Sequence, residues 1–89
     1  MTENWPPHGW YNFYPNPVSK FLNIELLRND LSFDHVKIVN ALGETVLDEN
    51  QAIFKSINSL NLSDLDQGVY FLTLTGNQQS VSYRFSVVK

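Results

Sequence analysis

Two histidines, His8 and His35, are the only imidazoles in the chain, and no cysteine accompanies them. A histidine serves as general base or metal ligand when a partner stands at a productive spacing, such as H-x-x-x-H on a helix or a serine in a G-x-S-x-G turn. Neither spacing occurs, so His8 reads as a linker residue and His35 as a surface residue at the start of a strand. Asp64 and Asp66, with Asn61 just ahead, bring oxygen donors close together. A calcium loop also needs a bidentate glutamate downstream, and none follows at that spacing. Turn chemistry explains these residues better, because Asn and Asp side chains hydrogen-bond their own backbone. The triplet "NLS" at Asn61 to Ser63 fits a glycosylation acceptor, but it is common by chance and Leu62 inside it reads as buried. Without cysteine there are no disulfides, thiol nucleophiles or thiolate metal sites. The expectation is a protein that is not an enzyme, with no cofactor, no metal and no small-molecule substrate.

Aromatic residues offer a different chemistry. Trp5, Trp10 and Tyr11 could build the stacking platform of a carbohydrate-binding or adhesive module. All three fall in "MTENWPPHGWYNF", residues 1 to 13, which mixes prolines, a glycine and polar residues without helical or strand periodicity. That stretch reads as a linker with adhesive aromatics. A rigid sugar platform needs residues held by a scaffold, so sugar binding is the alternative and not the main reading.

Composition narrows the class further. The chain has 89 residues, 43 % hydrophobic, and a net charge of −3. A chain of that length makes one domain and buries only about 60 to 65 % of its unfolded surface. Lysine and arginine total six and form no cluster, whereas a nucleic-acid groove needs several phosphate contacts, so no nucleic-acid partner is expected. No apolar run approaches the roughly 20 residues of a membrane span. Met1 to Trp10 lacks a basic and then apolar leader, so if the domain is exported its signal peptide is expected elsewhere.

The elements that must position these residues are strands. In "FYPNPVSKFLNIEL", Pro15 and Pro17 fix their own φ and push the residues before them towards extended backbone, making a stiff lead-in. Val18, Leu22, Ile24 and Leu26 then share one parity. Period-two patterning and turn residues predict seven strands near Phe21–Leu27, His35–Asn40, Glu44–Asp48, Ile53–Ile57, Leu60–Leu62, Val69–Thr75 and Ser80–Val88. "RND" (Arg28 to Asp30) and "TGNQQ" (Thr75 to Gln79) read as hairpin connections, and Gly43 as a residue of positive φ. In the last strand Val81, Tyr83, Phe85 and Val87 face one way and the serines and Arg84 the other. In "GVYFLTL" both parities are apolar, which predicts a central strand covered on both sides, with the aromatic residues 5 to 13 as a candidate cap or, failing that, an uncovered patch that marks a partner site. The architecture expected is an all-β, seven-stranded antiparallel immunoglobulin-like β-sandwich. Its core should include Leu22, Ile24, Val36, Ile38, Leu60, Leu62, Leu65, Tyr70, Leu72, Phe85 and Val87. Leu65, Gly68 and Tyr70 in "LDQGVY" suggest a tyrosine corner, a hydrogen bond from the phenol to backbone a few residues upstream.

Taken in order, "YPNP" with its alternating strand, "VKIVNALGETV", "LNLSDLDQGVYFLTL" and a last strand ending in lysine resemble the type A C-terminal sorting domain of type IX secretion cargo proteins of Bacteroidetes. The resemblance runs from Tyr14 to Lys89, leaving residues 1–13 as linker. It carries over to Pro15, Asn16 and Pro17, to Val36, Ile38 and Gly43, to Leu65, Gly68, Val69 and Tyr70, and to Lys89. Family members often have an aromatic residue where Val39 stands, and proline or alanine near Asp66 and Gln67. The resemblance implies a tag that directs a periplasmic cargo across the outer membrane, with cleavage and then release or surface attachment. The implied partners are the outer-membrane translocon, a sortase-like protease and a cargo domain upstream, and the implied location is the periplasm in transit, then the cell surface or medium.

Overall fold

A computed structural model describes residues 8–54, 56–76 and 79–89. Among them a single 3-10 turn, His8–Trp10, leads into seven strands: β1 (Tyr11–Tyr14), β2 (Phe21–Leu26), β3 (Phe33–Asn40), β4 (Thr45–Ile53), β5 (Ile57–Asn61), β6 (Gly68–Gly76) and β7 (Gln79–Val87). Every paired strand runs antiparallel to its neighbour, in a three-stranded sheet ordered β1-β2-β5 and a four-stranded sheet ordered β4-β3-β6-β7. One apolar core lies between them. The smaller sheet contributes Leu22, Ile24, Leu26 and Leu60, and the larger contributes Val36, Ile38, Tyr70, Leu72, Leu74, Val81, Phe85 and Val87, all buried. These are the single-parity positions of each strand, because alternate side chains leave a pleated sheet on opposite faces.

The count of seven hides three differences from the sequence expectation. Tyr11–Tyr14, within and just after the stretch read as linker, is a strand paired with Leu26–Asn23 of β2. Its partly buried Tyr11 and Phe13 face the core beside Leu26 and Ile24, which outweighs a segment too short to display periodicity. The strands expected at Glu44–Asp48 and Ile53–Ile57 are also not separate. β4 runs on to Ile53, which pairs with Phe33 and is buried with it, and a new strand starts only at Ile57. Finally, "RND" is not a hairpin. Since β2 and β3 lie in different sheets, residues 27–32 cross from one layer to the other, and Leu31 is buried on the way.

Other expectations hold. β6 is central, between β3 and β7. β6 and β7 form a hairpin closed by the Gly76–Gln79 pair, although Asn77 and Gln78 of its expected turn lie outside the described residues. Gly76 has a packing reason as well, for a Cβ there would sit 2.6 Å from the carbonyl oxygen of Ser32. Residues 8–13 do not form the expected cap on the outer face of β6, and residues 5–7 of that stretch lie outside the described residues. Phe71 remains 41 % exposed there, while Trp10, Tyr11 and Phe13 pack against the core instead, Phe13 stacking on Tyr83 at 4.4 Å between ring centroids. Leu65 is half-buried, not fully buried as expected, and leans on the core from a turn.

Candidate functional site

The strand registers bring the motif residues to one end of the sandwich, except Val36 and Ile38, which are buried in the middle of β3. β1 ends and β2 begins there, β3 turns into β4, β5 ends, β6 begins and β7 ends. Residues 15–20, 41–44, 62–67 and 88–89 are the segments that make up this end. We call it the motif end. The opposite end, where the chain enters at His8–Trp10, carries none of the motif residues.

Pro15, Asn16 and Pro17 are exposed and follow β1, and the Tyr14–Pro15 and Asn16–Pro17 peptide bonds are both cis. Over this stretch the chain leaves the smaller sheet and reaches the edge of the larger one. The Asn16 side-chain amide acts there as a peptide unit would: its Oδ1 accepts from the Ser86 N–H at 3.1 Å and its Nδ2 donates to the Arg84 carbonyl at 3.5 Å. Val18 continues the pairing as a parallel bridge to Val87, donating to Ser86 O at 2.7 Å and accepting from Val88 N–H at 2.9 Å. The lead-in thus covers the free edge of β7 near its end, where unpaired backbone groups would otherwise invite another strand.

Tyr70 forms the expected corner. Buried at the start of β6, it donates its hydroxyl to the Asp66 carbonyl at 2.7 Å. Gly68 pairs with Val87, and Val69 pairs with Ser86 on the outer face. Lys89 closes the same turn from the other side, donating from its backbone to Gln67 Oε1 at 3.3 Å and from Nζ to the Ser63 carbonyl at 2.8 Å. Leu65 N–H donates to Leu62 O at 3.0 Å, which holds the turn that both Tyr70 and Lys89 grip. Gly43 stands apart, in the adjoining β3–β4 hairpin, where its φ of 85° suits a residue without Cβ.

One residue that does as much was not singled out from the sequence. Asn40 organises the hairpin. Its Oδ1 accepts from Leu42 and Glu44 N–H, each at 2.9 Å, its Nδ2 donates to Glu44 Oε1 at 2.8 Å, and its carbonyl accepts from Gly43 N–H at 3.0 Å. The signal was legible, since Asn at the first position of a turn with Gly at the fourth is favourable turn chemistry. Asn61 does what the turn reading expects: it accepts at Oδ1 from Ser63 N–H at 3.0 Å and from Ser63 Oγ at 2.7 Å. Its oxygen serves the turn. Among the described residues no group of three or more His, Cys, Asp or Glu side chains is arranged to hold a metal.

His35 lies half-buried on the outer face of β3, its Nε2 2.6 Å from Asp48 Oδ1 and its Nδ1 3.0 Å from Asn50 Oδ1. Both partners belong to β4, so the imidazole fastens that edge strand. Trp5 lies outside the described residues, but Tyr11 stands on β1 and Trp10 in the turn before it. With Phe13, Asn12, Ser82 and Tyr83, Tyr11 lines a shallow groove of about 330 Å³ where the edges of the two sheets meet. Burial pushes the Tyr11 phenol above its usual pKa.

The comparison with known families decides among these readings. Residues 12–89 match the family described as the secretion system C-terminal sorting domain. The chain belongs to that family. It is therefore a sorting domain of the type IX secretion system, a signal for export towards the cell surface or extracellular space. No curated protein and no solved structure matches it.

Proposed function

We propose that this sorting domain travels folded at the end of a periplasmic cargo in a bacterium of the Bacteroidetes. In this reading the outer-membrane translocon of the type IX system reads it, and a sortase-like protease removes it at the surface, leaving the cargo released or attached. The domain itself carries no catalytic role and needs no cofactor. The observation that carries the reading is the family match from residue 12 to the last residue, within which Asn16, Tyr70 and Lys89 hold the C-terminal strand and its neighbouring turn in place. A folded address must present a fixed surface, and hydrogen bonds from Asn16, Tyr70 and Lys89 supply that fixity. The strand order, and the passage of the lead-in from one sheet to the edge of the other, support the immunoglobulin-like form of the sandwich.

The experiment is a reporter with a signal peptide fused ahead of the 89-residue chain in a host with the type IX system. The reporter should reach the surface or medium, and deletion of Ser80–Lys89, which removes most of β7, should hold it in the periplasm. Retention of the intact fusion while circular dichroism shows the domain folded would end the sorting reading.

One observation favours a second reading. The groove of Tyr11, Phe13 and Tyr83 rests on strands, so the scaffold that the linker reading denied to these aromatics is present for Tyr11. A carbohydrate-binding module would then show saturable, micromolar glycan binding by calorimetry that Tyr11→Ala abolishes. Absence of binding tighter than about millimolar would remove it.

A further inference from the structure

The four edge strands of the two sheets are not equally protected. β1 and β5, of 4 and 5 residues, are too short to template much pairing. β4 has 9 residues, but its pairing with β3 shifts register twice, and exposed Glu49, opposite buried Val36, carries its charge on the inward side. Both devices discourage strand addition. β7 is as long, pairs with β6 without a shift from Gly68–Val87 to Gly76–Gln79, and has Arg84 as its one charged residue. Its outer edge is defined group by group. Arg84 O and Ser86 N–H meet the Asn16 amide, and Ser86 O and Val88 N–H meet Val18. Alternate residues of a strand turn their N–H and C=O to the same edge, so both groups of Ser80 and of Ser82 lie there too, with the N–H of Arg84. No described residue bonds to these.

This open run matches itself. Turned about a twofold axis at Ser82, two copies of β7 would run antiparallel, Ser82 exchanging both its bonds with its own equivalent and Arg84 standing opposite Ser80. No like charges meet in that register, whereas β4 paired with itself would bring Asp48 and Glu49 of both copies together. The Arg84–Ser80 pairs need the Arg84 carbonyl, and Asn16 Nδ2 already donates to it at 3.5 Å. A strand reaching past Arg84 would also run into Asn16, whose Oδ1 holds the Ser86 N–H at 3.1 Å. We propose that Asn16 is a gatekeeper against self-association: its amide ends the open run of β7 and keeps a second copy of this chain from adding there antiparallel. The inference stands on the β7 edge and not on the sorting reading. Its consequence for a cargo is that the tag stays single.

Analytical ultracentrifugation of the 89-residue chain tests this. Wild type should remain a monomer from micromolar to millimolar protein. Asn16 is exposed, and Asn16→Ala, which frees the Arg84 carbonyl and the Ser86 N–H, should double its mass over that range. Hydrogen exchange of its Ser80, Ser82 and Arg84 amides should slow as concentration rises, a change that a purely structural role for Asn16 would not produce. Adding Ser82→Lys sets two ammonium groups opposite each other at the axis and should restore the monomer, with the denaturation midpoint in dilute solution unchanged. If Asn16→Ala fails to fold, Asn16→Asp decides. Its carboxylate still accepts from Ser86 N–H but cannot donate to Arg84 O, so the dimer should form at a several-fold higher concentration. A folded Asn16 variant that stays monomeric to millimolar protein, a dimer that Ser82→Lys leaves intact, or a wild type that already pairs through Ser82 overturns the proposal.

Discussion

The two ends of this sandwich are built by different chemistry. At the motif end, side chains bond to main chain, two of them across long stretches of sequence: Asn16 reaches β7 and Lys89 reaches Ser63, while Tyr70 bonds Asp66 within the neighbouring turn. At the entry end, the described contacts are shorter in sequence or are made by the backbone and a ring. Arg28 pairs with Asp30 at 3.0 Å and lies 4.1 Å from the Trp10 ring centroid, and Leu27 N–H donates to the Trp10 carbonyl at 2.7 Å. An open hollow of about 420 Å³ sits there among Leu26 to Asn29, Phe54 and Ser56, with Leu27 and Phe54 more than half exposed. The lesson is that the family's recurring residues are concentrated where a chain terminus must be held. A terminus frays unless something ties it down, and here the hydrogen bonds from Asn16, Val18 and Lys89 tie down the last strand and the residues after it, beside the stacking of Phe13 on Tyr83.

The contrast can be broken from the core outwards. Leu72 is fully buried at the middle of β6, between the two ends. Leu72→Ala should cost about 2 to 5 kcal/mol through lost transfer energy and a residual cavity. Because both ends share one core, amide exchange at Leu27 and at Val88 should quicken together. An unchanged denaturation midpoint would remove Leu72 from the core, and quickening at one end alone would show two independently stable halves.

A smaller effect separates the ends. Tyr70→Phe removes one hydrogen bond to backbone, and Asn16→Ala removes the amide that stands in for a strand, so each should lower stability by about 1 kcal/mol. The change should appear first as faster exchange of the Ser86 and Val88 amides. Leu27→Asn at the entry end should stay within about 0.5 kcal/mol of wild type, as exposed positions do. Equal losses at the two ends would dissolve the distinction drawn here.

The smallest effect is one of pH. With the Tyr11 pKa raised by burial, the folded state holds its proton more tightly than the unfolded state does. Any stability this contributes is complete below the unfolded phenol value near 10 and falls as pH rises through the higher folded value. Denaturation followed from pH 9 to 11 should therefore show a slight alkaline loss that Tyr11→Phe lessens. An identical alkaline profile in that variant would mean that Tyr11 is solvated like a free phenol.

The sequence by itself determined which side chains face inward. The alternation in Phe21–Leu26 and in Val81–Val87, the Tyr70 corner and the positive φ at Gly43 all follow from local rules of pleat, turn and hydrogen bonding, and all appear in the structure. Most of the motif residues of the candidate site could be named the same way, but not what they do: nothing local in "PNP" says that the Asn16 amide will complete the edge of a strand 68 to 70 residues away. Tertiary structure alone decided sheet membership. It made Arg28–Asp30 part of a crossover, drew Tyr11–Tyr14 out of an apparent linker into pairing with β2, and carried β4 on to Ile53 because that side chain is buried beside Phe33. Periodicity sets the face a residue presents. Which strand it presents that face beside depends on burial summed over both sheets, a quantity no single segment contains.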